Sequence, residues 1–414
     1  MSRPNPSRTS PSRTSPSRRG VLDAVVVGAG VVGTAAALGL ARQGLQVALV
    51  EGREPMVWRA ESPDLRVFAL APDNVGLLDR LGAWEAISSA RAQPYRSMRV
   101  WDAGGGGTLA FDADRLGRRE LGWIVENCLL IDRLWKAATA AGVELHCPDK
   151  VTAREPDDDG GSENLILESG NRLRARLVVA ADGADSQLRR MAGIDAPRHD
   201  YGQRGLVGFI QHTQSHQATC WQRFLPGGPL AFLPFADTDD GCPRSSIVWS
   251  VPDGEAERLL ATDDATFLGE LARAFDGPLG ELVAVSRRAA FPLRRQLAAT
   301  QLAGRMVLVG DAAHAVHPLA GQGVNLGLRD IGALLDAVAR TAGTGGDIGA
   351  PERLARWDRR RRSDAVVSAH AFEAINRVFS NDALVPTLMR GRVLGLAGRV
   401  PHFARALWRH AAGV

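Results

Sequence analysis

The chain has 414 residues, enough for two or three domains with cores of their own. Its 45% hydrophobic and 23% charged residues are ordinary for a soluble globular protein, and no apolar run is long enough to span a membrane. The net charge of +4 misleads: residues 1–20 hold five Arg and no acid, so the remainder carries −1, which argues against nucleic acid as a partner.

The first 20 residues repeat Pro, Ser, Arg and Thr with a period of five and contain no apolar segment. They read as a disordered basic tail, not a secretory signal. Cys128, Cys147, Cys220 and Cys242 show no CxxC spacing and are expected as free thiols in a reducing compartment.

Ala24 to Val27 is a short apolar strand, followed at once by "GAGVVG" with Gly28, Gly30 and Gly33. "TAAALGLARQG" then has helix-forming composition, and "LQVALVE" is a second strand ending in Glu51. Strand, glycine turn, helix, strand and acid form a dinucleotide-binding unit. Gly28 makes the tight turn, Gly30 lets pyrophosphate approach the backbone, and Gly33 lets the helix pack on the strand. The helix N-terminus offers N–H groups to the phosphates, and Glu51 accepts from a ribose. Either NAD or FAD satisfies this unit.

"DLRVFAL", Asp64 to Leu70, follows and carries Arg66. "PDDDGGSEN" reads as a surface hairpin loop. "RLVVAADGADSQLRR" is another strand, ending at Asp182–Gly183 before a helix that starts near Ser186. Between Gln203 and Leu297 the pattern turns to short alternating strands, read as an antiparallel sheet. Its aromatic residues Trp221, Phe224, Phe232 and Trp249 are read mostly as core.

"GRMVLVGDAAHAVHPLAGQGVNLGLRD" places Asp311 at a strand's carboxyl end, where ligands collect in open α/β sheets. Asp311, His314 and His317 have helical spacing, but Pro318 and the glycines argue for an irregular loop, and no further ligands cluster nearby. A metal site is therefore rejected. No GxSxG elbow supports a Ser hydrolase. His317 is read as packing the loop, with an acid–base or positioning role as the alternative. After Gly345 the chain reads as helices, and Ala383 to Val414 holds five Arg, two His and no acid among apolar residues. That segment is either a helix packed on its own domain or a surface for a membrane or partner.

Together GAGVVG with Glu51, Asp182–Gly183 with Arg189, and Gly310–Asp311 resemble the flavin-dependent aromatic hydroxylases of the p-hydroxybenzoate hydroxylase type. "HPLAGQGVNLGLRD", "GPLAFLPF" and "DLRVFAL" look like the branch that hydroxylates ubiquinone precursors. The resemblance runs from about Leu22 to about Arg362; the basic tail and the Asp-rich loop depart from it.

The resemblance implies an α/β fold: a Rossmann-like FAD-binding domain with an antiparallel-sheet substrate domain and C-terminal helices. It divides the chain into a tail (1–20), an FAD-binding domain (21–92, 122–196 and 298–345), a substrate domain (93–121 and 197–297) and a helical region (346–414). The cofactor is FAD, and NAD(P)H is a co-substrate without a Rossmann domain of its own. Gly28, Gly30, Gly33, Glu51, Arg66, Asp182, Asp311, Gly321, Gly323 and Asn325 are expected at FAD, with Arg66 on a phosphate or the ribityl chain and Asp311 on the ribitol. The helix opened by Gly321 and Gly323 would turn its N–H groups to the isoalloxazine, where reduced flavin is anionic.

The implied reaction is hydroxylation of a polyprenylated phenol or quinol with O2, through a C4a-hydroperoxyflavin. Because the cofactor carries the chemistry, no catalytic triad is expected. A reductase or halogenase of the same fold, and a non-catalytic flavin-binding scaffold, are the alternatives. The expected location is the cytoplasm, with peripheral contact at the inner membrane or a ubiquinone-biosynthesis complex as further expectations.

Overall fold

The structure is a computed structural model that describes residues 20–103, 108–157, 160–316 and 322–379. His317, Gly321, the basic tail and the Ala383–Val414 segment lie outside the described residues.

Five parallel strands form the base, in the order Met306–Leu308, Arg172–Ala180, Leu22–Val27, Val47–Val50 and Glu144–His146. The central strand is apolar on both sides because both faces of a parallel sheet are covered. Ala24 and Val26 meet the core under helices Val31–Arg42 and Gln322–Ala342, while Val25 and Val27 face the opposite core. That second core is floored by Val151, Leu165 and Leu173. They belong to an antiparallel arm in which Val151–Pro156 and Glu163–Leu167 flank the Asp-rich loop.

The short-strand region forms a nine-stranded sheet. Its order is His314–Ala315, Ala289–Leu297, Arg198–His212, Arg244–Pro252, Gly228–Phe235, Thr219–Leu225, Ser97–Asp102 and Thr108–Asp112, with Leu282–Val285 beside Arg198–His212. One pairing departs from the antiparallel expectation: Thr219–Leu225 runs parallel to Ser97–Asp102. Ser97–Asp102 arrives from a distant part of the chain, so no hairpin dictates its direction.

The two faces of this sheet have different partners. Leu206, Phe232, Ile247 and Trp249 pack under helices Asp253–Ala261 and Asp264–Phe275. Val207, Phe209, Leu233 and Val248 point the other way, toward Leu65, Ala69 and Ile124. Those last residues lie on or beside a three-stranded sheet of Val67–Leu70, Gly122–Glu126 and Gln93–Tyr95. Strand His314–Ala315 follows the last parallel strand and pairs with Gln296–Leu297, tying the two large sheets together. Helix Pro351–Phe379 runs over helix Gln322–Ala342 and strand Leu302–Ala303.

Candidate functional site

The glycine turn is built for close contact. Gly28 has φ +102°, and a Cβ there would stand 2.3 Å from the Ala181 carbonyl oxygen, so only glycine fits. A Cβ on Gly33 would meet Gly28 O at 1.9 Å, whereas a Cβ on Gly30 would find nothing within 4 Å. Gly28 and Gly33 therefore serve packing, while Gly30 leaves bare backbone facing open space. The helix that follows begins at Gly30 without any side-chain cap, which leaves its N-terminal N–H groups for a ligand. Glu51 Oε2 accepts from Ala29 N at 2.6 Å, so the acid also holds the turn.

Gly30 and Gly33 open onto a cleft of about 430 Å³. Arg66, Asp311 and Gly323 line it from other segments, and Val207, Leu233, Val248 and Phe291 of the nine-stranded sheet form an apolar wall. Among the described residues, the Arg66 guanidinium and the Asp311 carboxylate have no ion pair or hydrogen bond, although Arg66 stands 5.2 Å over the Phe68 ring. A Cβ on Gly323 would approach only Asp311 Oδ1, at 4.0 Å. The start of helix Gln322–Ala342 is thus open toward the cleft beside that carboxylate.

Two of the residues expected at the cofactor do not line this cleft. Asn325 does not line the cleft: its Oδ1 accepts from Ala71 N and Asn74 Nδ2, each at 2.8 Å, and its Nδ2 donates to Ala69 O at 2.7 Å. The side chain joins the long helix to the end of strand Val67–Leu70. Asp182 is turned likewise, with Oδ2 accepting from Gln187 N and Leu188 N at the start of a short helix and Oδ1 buried. Its neighbour Gly183 faces the cleft instead. Asn325 is thus engaged by the protein itself, whereas among the described residues Asp182 Oδ1 is buried without a hydrogen-bond partner.

The Asp311, His314 and His317 question is answered in part. Asp311 faces the cleft, but His314 is fully buried with Nε2 2.6 Å from Asp330 Oδ2. Among the described residues no group of three metal-ligating side chains stands together. Asp330 is the residue that sequence reasoning missed. It accepts from Gly310 N at 3.0 Å and from Arg361 Nε at 2.8 Å, with no exposure. Burial pushes its carboxyl up, but His314 and Arg361 outweigh that and hold it below the ordinary carboxylate range. Arg189 makes a second tie, donating to Ala312 O at 2.7 Å and Ala184 O at 2.8 Å. It joins the segments after Asp182 and Asp311 into one floor.

Among the described residues the cleft thus presents uncapped N–H groups, one cation and one carboxylate without an ion pair, and an apolar wall. That set fits a ligand with phosphates, hydroxyl groups and a flat ring, and FAD has all three.

Comparison with known proteins agrees. Residues 21–370 match the FAD binding domain family. The 3-demethoxyubiquinol 3-hydroxylase of Escherichia coli is 36% identical over 92% of this chain and 95% of its own. The ubiquinone hydroxylase UbiL of Rhodospirillum rubrum is 37% identical over 91% of this chain and 86% of its own. Among solved structures, p-nitrophenol 4-monooxygenase PnpA from Pseudomonas putida superposes with a TM-score of 0.76 at 20% identity, covering 95% of this chain and 98% of that one. HpxO of Klebsiella pneumoniae, complexed with FAD and uric acid, superposes with a TM-score of 0.74 at 19% identity, covering 94% and 97%. At such identity these two neighbours speak for the fold.

Proposed function

The chain belongs to the FAD binding domain family, and from that premise we propose that it is an NAD(P)H-dependent monooxygenase hydroxylating the ring of a polyprenylated phenol or quinol in ubiquinone biosynthesis. One observation carries the reading: the dinucleotide turn and the apolar sheet face share a single cleft. FAD, when bound, would supply the redox chemistry, with NAD(P)H as reductant and O2 as oxidant, one oxygen atom going to the ring and the other to water.

The chain's own part is binding, orientation and exclusion of water. Gly30 and the helix start behind it would take the pyrophosphate, Glu51 a ribose hydroxyl, and the Arg66 fork a phosphate oxygen. Asp311 would accept from the ribitol hydroxyls, and the helix that starts at Gln322 would offer its N–H groups to the ring. Val207, Leu233, Val248 and Phe291 hold an aromatic ring and keep water from it. The parallel-sheet segments (21–92, 122–196, 298–345) would form the flavin domain, and 93–121 with 197–297 the substrate domain. Among the described residues no helix is long and apolar enough to cross a membrane. A substrate with a prenyl tail would then be met at the bilayer surface, through the Arg-rich segment after Ala383 or within a biosynthetic complex.

The test is direct. The purified protein is expected to hold FAD and not FMN, and a deletion strain to accumulate a quinone precursor one oxygen short, read by mass spectrometry. FMN binding, or an unchanged quinone profile, overturns the reading.

A further inference from the structure

A second concavity, about 1180 Å³, lies among helices Pro72–Arg80, Gln322–Ala342 and Pro351–Phe379. Arg80, Arg340, Arg353, Arg356 and Arg360 line it, and all five are exposed. Among the described residues none of these guanidinium groups has a hydrogen bond or ion pair. Three acids share the lining, but Asp73 is held by Arg329 and Asp364 by Arg361, each at 2.6 Å. Only Asp336 remains, so five Arg against one Asp leave a local charge of +4.

Folding does not account for this arrangement. Arg353 and Arg356 sit in the first two turns of their helix, where the dipole disfavours a cation. With Arg360 they follow i, i+3, i+7 spacing, which puts like charges on one face. A concave surface of one sign concentrates potential and draws in counter-ions. Planar guanidinium forks match phosphate oxygens in particular. The groove shares no lining residue with the cofactor cleft, and although its near end at Leu326 approaches Val324, Arg340 stands about 25 Å along the helix from Gly323, at about 1.5 Å per residue.

We propose that this groove binds a small molecule bearing a diphosphate, at a site separate from FAD. FAD-loaded holoenzyme is titrated with inorganic pyrophosphate by calorimetry, at ionic strength held constant with NaCl. One saturable site per chain is expected. The triple variant Arg353→Gln, Arg356→Gln, Arg360→Gln should weaken it by about tenfold or more, the equivalent of at least one charge-assisted contact. Asp336→Asn should tighten binding, because it removes the one unengaged acid. FAD content should stay unchanged in both, which shows that the variants fold. Absence of saturable binding overturns the proposal, as does equal affinity in wild type and the triple variant. So does binding to phosphatidylglycerol vesicles without binding to pyrophosphate, which would make the groove a lipid-headgroup surface.

Discussion

Asp330 Oδ2 takes both His314 Nε2, at 2.6 Å, and the Gly310 N–H, at 3.0 Å, so one buried carboxylate fixes both ends of the turn that presents Asp311. Its other oxygen accepts from Arg361, which brings helix Pro351–Phe379 into the same network. Replacing one member leaves the others buried without compensation. Asp330→Ala is expected to cost about 3–5 kcal/mol, the range for removing one partner of a buried ion pair. Urea unfolding measures the loss, and FAD content should fall with it because the Asp311 turn loses its anchor. An Asp330→Ala protein as stable as wild type would show that the network carries little.

The glycine turn separates stability from affinity. Gly33→Ala drives a Cβ into Gly28 O, which is backbone and cannot step aside, so the apo protein should lose about 1–3 kcal/mol. Gly30→Ala meets nothing within 4 Å and should leave the apo melting curve unchanged. Its methyl group occupies the approach to the helix start, so FAD affinity should drop instead. Calorimetric melting of apo protein beside FAD titration tests both halves. Equal behaviour of the two variants contradicts this division of roles.

The packing half of that division was legible in the GAGVVG spacing, which puts Gly33 over the Gly28 carbonyl, although the Ala181 carbonyl that excludes a Cβ at Gly28 comes from far along the chain. The α/β class and the sheet between Gln203 and Leu297 also followed from local patterns of apolar residues, whereas the strand order did not. What stayed hidden depends on direction across long separations. Asn325 has the right chemistry for a cofactor, yet the Ala71 N–H and the Asn74 amide reach its oxygen first. Asp330 is separated from His314 by 16 residues and from Arg361 by 31, and nothing local distinguishes it from a solvated helix acid. The parallel Ser97–Asp102 pairing was hidden for the same reason.

His212 and His216 give the protein an acid-side weakness. His212 Nδ1 donates to Gln214 O at 2.7 Å, leaving Nε2 to accept from Ser245 Oγ at 2.9 Å. His216 Nδ1 accepts from Ala218 N at 3.0 Å and its Nε2 donates to Phe235 O at 3.1 Å. Both rings are neutral tautomers, and burial pushes both below the ordinary imidazole value. The unfolded chain takes up these protons near pH 6.5, before the folded chain does. Stability is therefore complete above about pH 6.5 and declines as pH falls toward the folded values. Urea midpoints at pH 7.5 and 5.5 should differ, and His212→Gln should shrink the difference. A flat profile across that range excludes the mechanism.

Glu51 has two duties that substitutions can divide. Glu51→Gln keeps an oxygen for Ala29 N, whereas Glu51→Ala removes the acceptor for both the turn and the ribose. Losing a hydrogen bond to a charged group costs about 1–3 kcal/mol, so Ala should weaken FAD by that much and Gln by less. Fluorescence titration of apo protein with FAD gives both constants. Indistinguishable constants for wild type and Glu51→Ala would remove Glu51 from the cofactor site.

The final pair is Asp311 and Gly323, which stand side by side on the cleft, a Cβ on Gly323 lying 4.0 Å from Asp311 Oδ1. Asp311 is exposed and has no ion pair among the described residues, so Asp311→Ala should leave apo stability within about 0.5 kcal/mol, as for an ordinary surface substitution. FAD should then be held by its ADP half while the ribitol loses its acceptor, costing affinity of about 1–3 kcal/mol. Gly323→Val acts on the ring end, because a β-branched side chain stands where the helix start must approach the isoalloxazine. Its expected signature is near-normal FAD content with slowed NAD(P)H oxidation and an altered flavin absorption band. The two variants should thus separate, the first losing cofactor and the second losing turnover with cofactor retained. If Gly323→Val keeps both its spectrum and its turnover, the ring does not lie against that helix start.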